Sequence, residues 1–148
     1  MKKINISYLT SHKGNHRDLL KCMRSVYYDS KRYDYIHCEH LICMDGYKES
    51  DVISEIKTFP NSTLYFNKEN KGKSASINKL LRIAKGDYFF FIDSDDWNLQ
   101  GRTIKQLEKH LEINQPESTV IGTNYLSHKN GSIFLSSSYP INDYEIKL

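Results

Sequence analysis

Along residues 4 to 9, INISYL, apolar and polar positions alternate with the two-residue period of a strand, and the polar stretch TSHKGNH then breaks the pattern. In RDLLKCMRSVYY the apolar Leu19, Leu20, Met23, Val26 and Tyr27 recur at i, i+1, i+4, i+7 and i+8, which predicts a helix with one buried stripe. The order then repeats. YIHCEHLICM, residues 35–44, predicts a second strand closed by Asp45 and Gly46, and ESDVISEIKTF predicts a short helix capped by Ser50. STLYFN reads as a third strand. NKGKSASINKLLRIAKG reads as a third helix, with Ala75, Leu80, Leu81 and Ala84 inward and Gly86 at its C-terminal end.

The fourth strand is DYFFFID, whose unbroken apolar run predicts a central strand covered on both faces. Beyond it, GRTIKQLEKHLEIN predicts a helix with Ile104, Leu107 and Leu111 on one side. STVIGTNYL and GSIFLSS around a KNG turn predict a hairpin. Strands alternating with helices four times over predict an α/β fold: a three-layer sandwich with a mainly parallel central sheet, ending in a short β-hairpin. Ligands of such sheets bind beyond the carboxyl ends of the strands. TSH, MDG and DSDD all fall at such ends and are expected to converge on one crevice.

A chain of 148 residues is one domain's worth, so residues 1–148 are expected to form a single domain. With 39% hydrophobic and 26% charged residues it reads as globular rather than disordered. No apolar stretch approaches the roughly 20 residues of a membrane helix, and MKKINISYLTSHKGN lacks the apolar segment of a signal peptide. The expected location is the cytoplasm, with peripheral attachment at the inner face of the membrane compatible with it. Cys22, Cys38 and Cys43 are odd in number, and Cys38 and Cys43 point to opposite faces of one strand, so they read as reduced packing residues. Net charge is +3, but the lysines are scattered with no block of five or six basic residues, so no nucleic-acid partner is expected. An anionic small ligand suits that charge.

Asp93 and Asp95 are two apart with Asp96 adjacent, so at least two carboxylates can turn toward one point at the end of a strand. Their mutual repulsion favours a cation between them. Hard oxygen ligands favour Mg²⁺ or Mn²⁺, ions that use one or two carboxylates and complete their shell with phosphate oxygens and water. The competing reading is that these acids only end the strand and cap the next helix; Asp45 at a second strand end weighs against it. GKS at 72–74 would need a glycine at position 67 to be a phosphate-binding P-loop, and that position is Asn67. In HCEH, His37 and Glu39 face opposite to Cys38 and His40, which leaves two ligands per face and argues against a zinc site.

The succession ISYLTSH, LICMDG, ENKGKSASIN and KGDYFFFIDSDDW, from about residue 4 to about residue 113, resembles the amino-terminal, nucleotide-sugar-binding part of the family 2 glycosyltransferases, which have the Rossmann-like GT-A fold. The resemblance implies transfer of a sugar from a nucleotide-diphosphate sugar, a UDP-sugar first, to an acceptor hydroxyl, with Mn²⁺ or Mg²⁺ and with inversion. It places Thr10, Ser11 and His12 around the nucleobase, with His12 standing where an aromatic residue is common. Of the family's paired aspartates after the second strand the first is Met44 here; the second, Asp45, is expected to receive hydrogen bonds from the base. Asn70, Gly72 and Lys73 match an Asn-x-Gly segment that puts Lys73 near the diphosphate. Where the family often has Ala-Arg-Asn this chain has Ser76, Ile77 and Asn78, so one commonly basic position is apolar. In the D-x-D of Asp93, Ser94 and Asp95, the resemblance directs Asp93 toward the ribose and gives Asp95, with Asp93, to the metal. Asp96 is an accessory or capping residue.

Inverting members of that family draw a general base, usually an acid, from a region beyond the D-x-D helix, where the acceptor also binds. That region is expected to lie largely outside this chain, and Glu117, Asp143 and Glu145 match no version of its motif. Acceptor, sugar and base are therefore not assigned from the sequence; a saccharide or lipid-linked saccharide acceptor and a homo-oligomer are compatible with it. A truncated transferase, a non-catalytic nucleotide-sugar-binding module and a nucleotidyltransferase are the competing functions. The last usually has a glycine-rich, basic loop after its first strand, and TSHKGNH offers one glycine and one lysine.

Overall fold

In the computed structural model of the chain, which describes residues 3–113, 120–121, 125–129 and 132–136, the first strand runs past its alternating segment. β1 spans Ile4–His12, because Thr10, Ser11 and His12 pair with Ile42, Cys43 and Met44 of β2 (Ile36–Asp45). β3 (Ser62–Asn67) flanks β2 and β4 (Tyr88–Phe91) flanks β1, giving a four-stranded, all-parallel sheet in the order β3-β2-β1-β4.

Helices cover both faces, as the three-layer prediction requires. α1 (His16–Ser30) starts at Asn15, whose side-chain oxygen accepts from the Arg17 N–H at 2.9 Å and satisfies one otherwise orphan helix donor. Its Leu19, Leu20 and Met23 pack with Ile42, Met44, Val52 and Ile56 on one face of the sheet. On the other face α3 (Lys73–Leu81) brings Leu80 against Leu9, Leu41 and Cys43. Each such fully buried aliphatic side chain contributes about 1.5–3 kcal/mol. Cys38 and Cys43 point to opposite faces, and all three cysteines are free.

Several local expectations need correction. β4 is an edge strand among the described residues and is not covered on both faces: Phe90 and Ile92 are 8% and 6% exposed, but Phe89 and Phe91 are 45% and 53% exposed. Phe90 lies against Tyr8 at 4.9 Å, whereas α3, on the face of Phe89 and Phe91, packs chiefly over β1 and β2. Ala75 is exposed. Leu80, Leu81 and Ala84 face inward as expected, with Ile77 beside them, but Ser76 takes the place expected of Ala75, because Asn67 donates to the Ser76 hydroxyl at 3.0 Å and draws it in. Gly86 does not cap α3, which ends at Leu81. It lies so close to β1 that a Cβ there would sit 2.5 Å from the Ser7 nitrogen, and only glycine fits. Ser50 caps no helix: it sits inside a 3₁₀ turn, Glu49–Asp51, followed by the four-residue α2 (Ser54–Lys57).

The chain divides into two compact units, residues 1–100 and 101–148. The second contains α4 (Arg102–Glu112) and the antiparallel hairpin of β5 (Tyr125–Lys129) and β6 (Ser132–Ser136), the hairpin the sequence predicts. Within α4 the buried positions are Thr103, Leu107 and His110, at i, i+4 and i+7, while Leu111 is 65% exposed rather than inward. Glu117, Asp143 and Glu145 lie outside the described residues. Among the described residues no helix is long and apolar enough to cross a membrane.

Candidate functional site

The chain proceeds from β1 to β2 to β3 on one side, then crosses to β4 on the other side of β1. The topological switch point, where open α/β sheets open a crevice, therefore lies between the carboxyl ends of β1 and β4. β1 ends there in Ser11 and His12, and β4 leads through Ile92 into Asp93.

The acids occupy a turn, closed by the Asp96 N–H donating to the Asp93 carbonyl at 3.0 Å. Both flanks of this turn are tied down. On one flank the Thr10 hydroxyl donates to the Ile92 carbonyl at 3.0 Å and lies 2.8 Å from His40 Nε2. Its single proton being committed to Ile92, the hydroxyl accepts from His40, which fixes the neutral Nε2–H tautomer of that ring. Burial agrees, pushing the His40 pKa down to about 3. On the other flank Asn98 donates from its side chain to the Tyr8 hydroxyl at 2.8 Å and from its backbone to the Ser25 hydroxyl at 2.9 Å. Asp93 and Ser94 are left partly exposed and Asp95 exposed.

Lys73, the first residue of α3, forms an ion pair with Asp93 across this edge. Both side chains are about half exposed or more, so the pair adds little stability and its meaning is one of placement. It brings a cation onto a carboxylate at the switch point.

Asp45 sits beneath, 1% exposed. Its Oδ1 accepts from Asn67 Nδ2 at 2.8 Å and the Lys71 N–H at 2.9 Å, and its Oδ2 accepts from the Gly72 N–H at 2.8 Å. Burial alone would raise its pKa, but the hydrogen bonds from Lys71, Asn67, Gly72 and Ser76 outweigh it and hold the carboxyl below its ordinary value. Asn67 continues the network, accepting from Lys79 Nζ at 3.1 Å. Gly46 follows with φ +84° and lies so close to the returning loop that a Cβ would meet the Asn70 nitrogen at 3.3 Å.

His12 is 1% exposed, its ring stacked on Tyr47 at 5.6 Å and tilted against His16 at 5.5 Å. Burial lowers its pKa to about 4; His16 adds to the fall, and Asp18, Asp95 and the Gly14 backbone oppose it. The Tyr47 hydroxyl donates to the Gly14 carbonyl at 2.8 Å and accepts from the Gly14 N–H at 3.0 Å, stitching the loop after β2 to the loop after β1.

The sequence-predicted residues thus divide. Ser11, Lys73, Asp93, Ser94 and Asp95 reach the surface of this edge, and Lys73 and Asp93 meet; Thr10, His12 and Asp45 lie under it. Side-chain parity separates neighbours on β1: Thr10 and His12 turn to the face of α1, and Ser11 to the face of α3. Sequence reasoning missed Tyr47, Asn67 and Asn98. An asparagine ending the apolar run STLYFN was the one visible signal, since a buried strand end needs polar partners.

Among the described residues no group of three or more His, Cys, Asp or Glu side chains gathers as a metal site. A divalent ion that shares its shell with a diphosphate needs only one or two carboxylates, and Lys73 on Asp93 is a tethered stand-in for such a cation, so Asp93 fits that class of ion. Two cavities, one lined by Asn5, His37, Glu39 and Lys85 and the other by Tyr27, Lys31, Ile36 and Asn61, lie at the opposite, amino-terminal end of the sheet.

Residues 13–147 match the family described as Glycosyl transferase family 2. The chain is 32% identical over 87 residues to the uncharacterized glycosyltransferase MJ1057 of Methanocaldococcus jannaschii, covering 58% of this chain and 30% of that protein. To the glycosyltransferase GlyA of Streptococcus pneumoniae it is 26% identical over 118 residues, 78% of this chain and 16% of the relative. In fold it is similar to the mannosyltransferase PcManGT of Pyrobaculum calidifontis, solved with GDP-Man and Mn²⁺, with TM-score 0.61, 19% identity and coverage of 76% and 33%. It is also similar to S. aureus TarS in complex with UDP-GlcNAc, with TM-score 0.52, 18% identity and coverage of 76% and 31%. The chain spans about a third or less of the length of these proteins.

Proposed function

Because the chain belongs to glycosyl transferase family 2, we propose that its carboxyl-terminal sheet edge holds a nucleotide-diphosphate sugar, a UDP-sugar first, for inverting transfer to an acceptor hydroxyl. The observation that supports this most is the meeting of Lys73 and Asp93 at the switch point between β1 and β4. Ser11 lies on the nucleoside side. Lys73 leaves Asp93 for the diphosphate, adding a positive charge where the leaving group gains negative charge. Asp93 faces the ribose, Ser94 lines the turn, and Asp93 and Asp95 would hold Mn²⁺ or Mg²⁺, which when bound offsets charge on the departing nucleoside diphosphate.

Residues 1–148 act in this reading as the donor-binding part, with the acceptor recognised elsewhere in the protein. The free cysteines suit a reducing compartment, the cytoplasm, with the enzyme at the inner face of a membrane.

Calorimetry with UDP and GDP, with and without Mn²⁺, tests the donor site. Mn²⁺ is expected to tighten UDP binding by about tenfold or more, about 1.4 kcal/mol, in the wild type and not in Asp95→Ala. Equal binding by the two proteins would sink the metal assignment, and tighter binding of GDP would overturn the choice of UDP. Labelled UDP-sugar given to the full-length protein should yield transfer or hydrolysis; binding without turnover would make it a binding module.

A further inference from the structure

Family resemblance directs Asp45 to the nucleobase, but its surroundings suggest another role. It is 1% exposed, and both its oxygens are already engaged by donors from its own chain, the Asn67 and Ser76 side chains and the backbone N–H groups of Lys71 and Gly72. A carboxylate that accepts from two successive backbone amides fixes the path of that backbone, because both amides must point at one group. Gly72 is followed at once by Lys73, so the path fixed by Asp45 sets where the Lys73 side chain starts.

Four further contacts brace this loop and the start of α3. Gly46 approaches Asn70 so closely that an added Cβ would sit 3.3 Å from its nitrogen. Asn67 holds Ser76 at 3.0 Å in the first turn of α3, and Lys79 Nζ donates to the Phe66 carbonyl at 2.8 Å and to Asn67 Oδ1 at 3.1 Å. The loop and the start of α3 are therefore bound to the ends of β2 and β3 through one buried network centred on Asp45.

We infer that Asp45 is a positioning residue, not a base-reading one: it anchors the 70–72 loop and so aims Lys73 at the diphosphate. The inference rests on the nucleotide-sugar reading above and deepens it. If Asp45 turned to a base it would have to release the Lys71 N–H, leaving a backbone donor unpaired, or the Gly72 N–H, leaving it only the Asn70 side-chain oxygen at 3.2 Å; either change loosens the loop next to Lys73. A ligand gains more from the diphosphate side when the anchor stays closed.

Amide hydrogen exchange on the wild-type protein decides between the two roles without any substitution. The Lys71 and Gly72 amides should be protected in the free protein and should keep that protection when UDP binds. Rapid exchange of both amides in the free protein, or loss of protection on adding UDP, would overturn the inference. Titration of UDP and of uridine into Asp45→Asn and Lys73→Met provides the second arm. Each variant should bind UDP about tenfold more weakly and uridine within about twofold of wild type, with the double variant scarcely worse than either single one, since both act through one group. An equal loss of uridine and UDP in Asp45→Asn would return Asp45 to the base. If Asp45→Asn does not fold, the exchange data on the wild type decide. A wild type that binds no nucleoside diphosphate would instead sink the donor-site reading itself, while protection of Lys71 and Gly72 would still mark Asp45 as the loop's anchor.

Discussion

Mild acid should destabilise this protein well above the range in which its carboxylates titrate, and two buried histidines set the size of the effect. In the unfolded chain His12 and His40 take up protons near pH 6.5; in the folded chain burial holds them neutral until about 4 and about 3. The unfolded state therefore binds more protons throughout the interval, and stability falls as pH falls. The contribution is fully present above about pH 6.5 and is lost progressively below it. Between about pH 8 and pH 5 each histidine removes about 2 kcal/mol, about 4 kcal/mol for the pair. Against a total of about 5–15 kcal/mol for an ordinary domain that is a large share. Asp45 is separable, because its carboxyl is held below the usual 3.8 and its contribution is lost only at still lower pH. Urea unfolding followed by circular dichroism at a series of pH values measures the slope. In His40→Gln, which can still donate to Thr10, about half the slope should vanish. A wild-type stability that stays flat between about pH 6.5 and pH 5, or a His40→Gln slope equal to that of the wild type, would refute the assignment of these rings as buried and neutral.

Two substitutions probe local packing, one in the turn before β4 and one in the loops beside the site. Gly86→Ala drives a methyl into the Ser7 backbone, 2.5 Å from its nitrogen, and neither strand nor turn can swing aside; a loss of about 1–3 kcal/mol in urea unfolding is expected, and unchanged stability would show that the turn before β4 does not press on β1. Tyr47→Phe keeps the stack on His12 but removes both hydrogen bonds to Gly14. Exchange of the Gly14 amide should then quicken about tenfold, a local loss of about 1–2 kcal/mol, with Lys71 and Gly72 unaffected; an unaltered Gly14 would disprove the stitch.

The succession of strands and helices along the chain could be read largely from periodicity, because Leu19, Leu20, Met23 and Val26 mark a helix face whatever the tertiary context. What periodicity could not give was coverage. A run such as YFFF is compatible with burial on both faces, yet which faces are covered depends on where α3 crosses the sheet, and α3 lies chiefly over β1 and β2. One position of α3 was missed for a related reason: Ala75 is more apolar than Ser76, but Ser76 has a buried partner in Asn67, and that hydrogen bond turns it inward. Gly86 was visible as a glycine after a helix, and its real constraint, the Ser7 backbone, is 79 residues away in sequence.

The same limit explains how the site divided. Matching Thr10, Ser11 and His12 to one motif treats three successive residues as a single surface, but a strand sends them alternately to opposite faces, and the extension of β1 to His12 enforces that alternation. Thr10 and His12 fall on the α1 face, where they hold Ile92 and stack on Tyr47; Ser11 falls on the α3 face, with Asp45 and Asn67. Position in the motif therefore identifies one end of the sheet, and parity decides which of its residues reach the surface there. The buried members act on the surface ones through their backbone: Thr10 fixes the carbonyl before Asp93, and Asp45 fixes the amide before Lys73. Two ties from beneath thus set the distance between the acid and the base that meet at the surface, which is the separation a diphosphate would have to match.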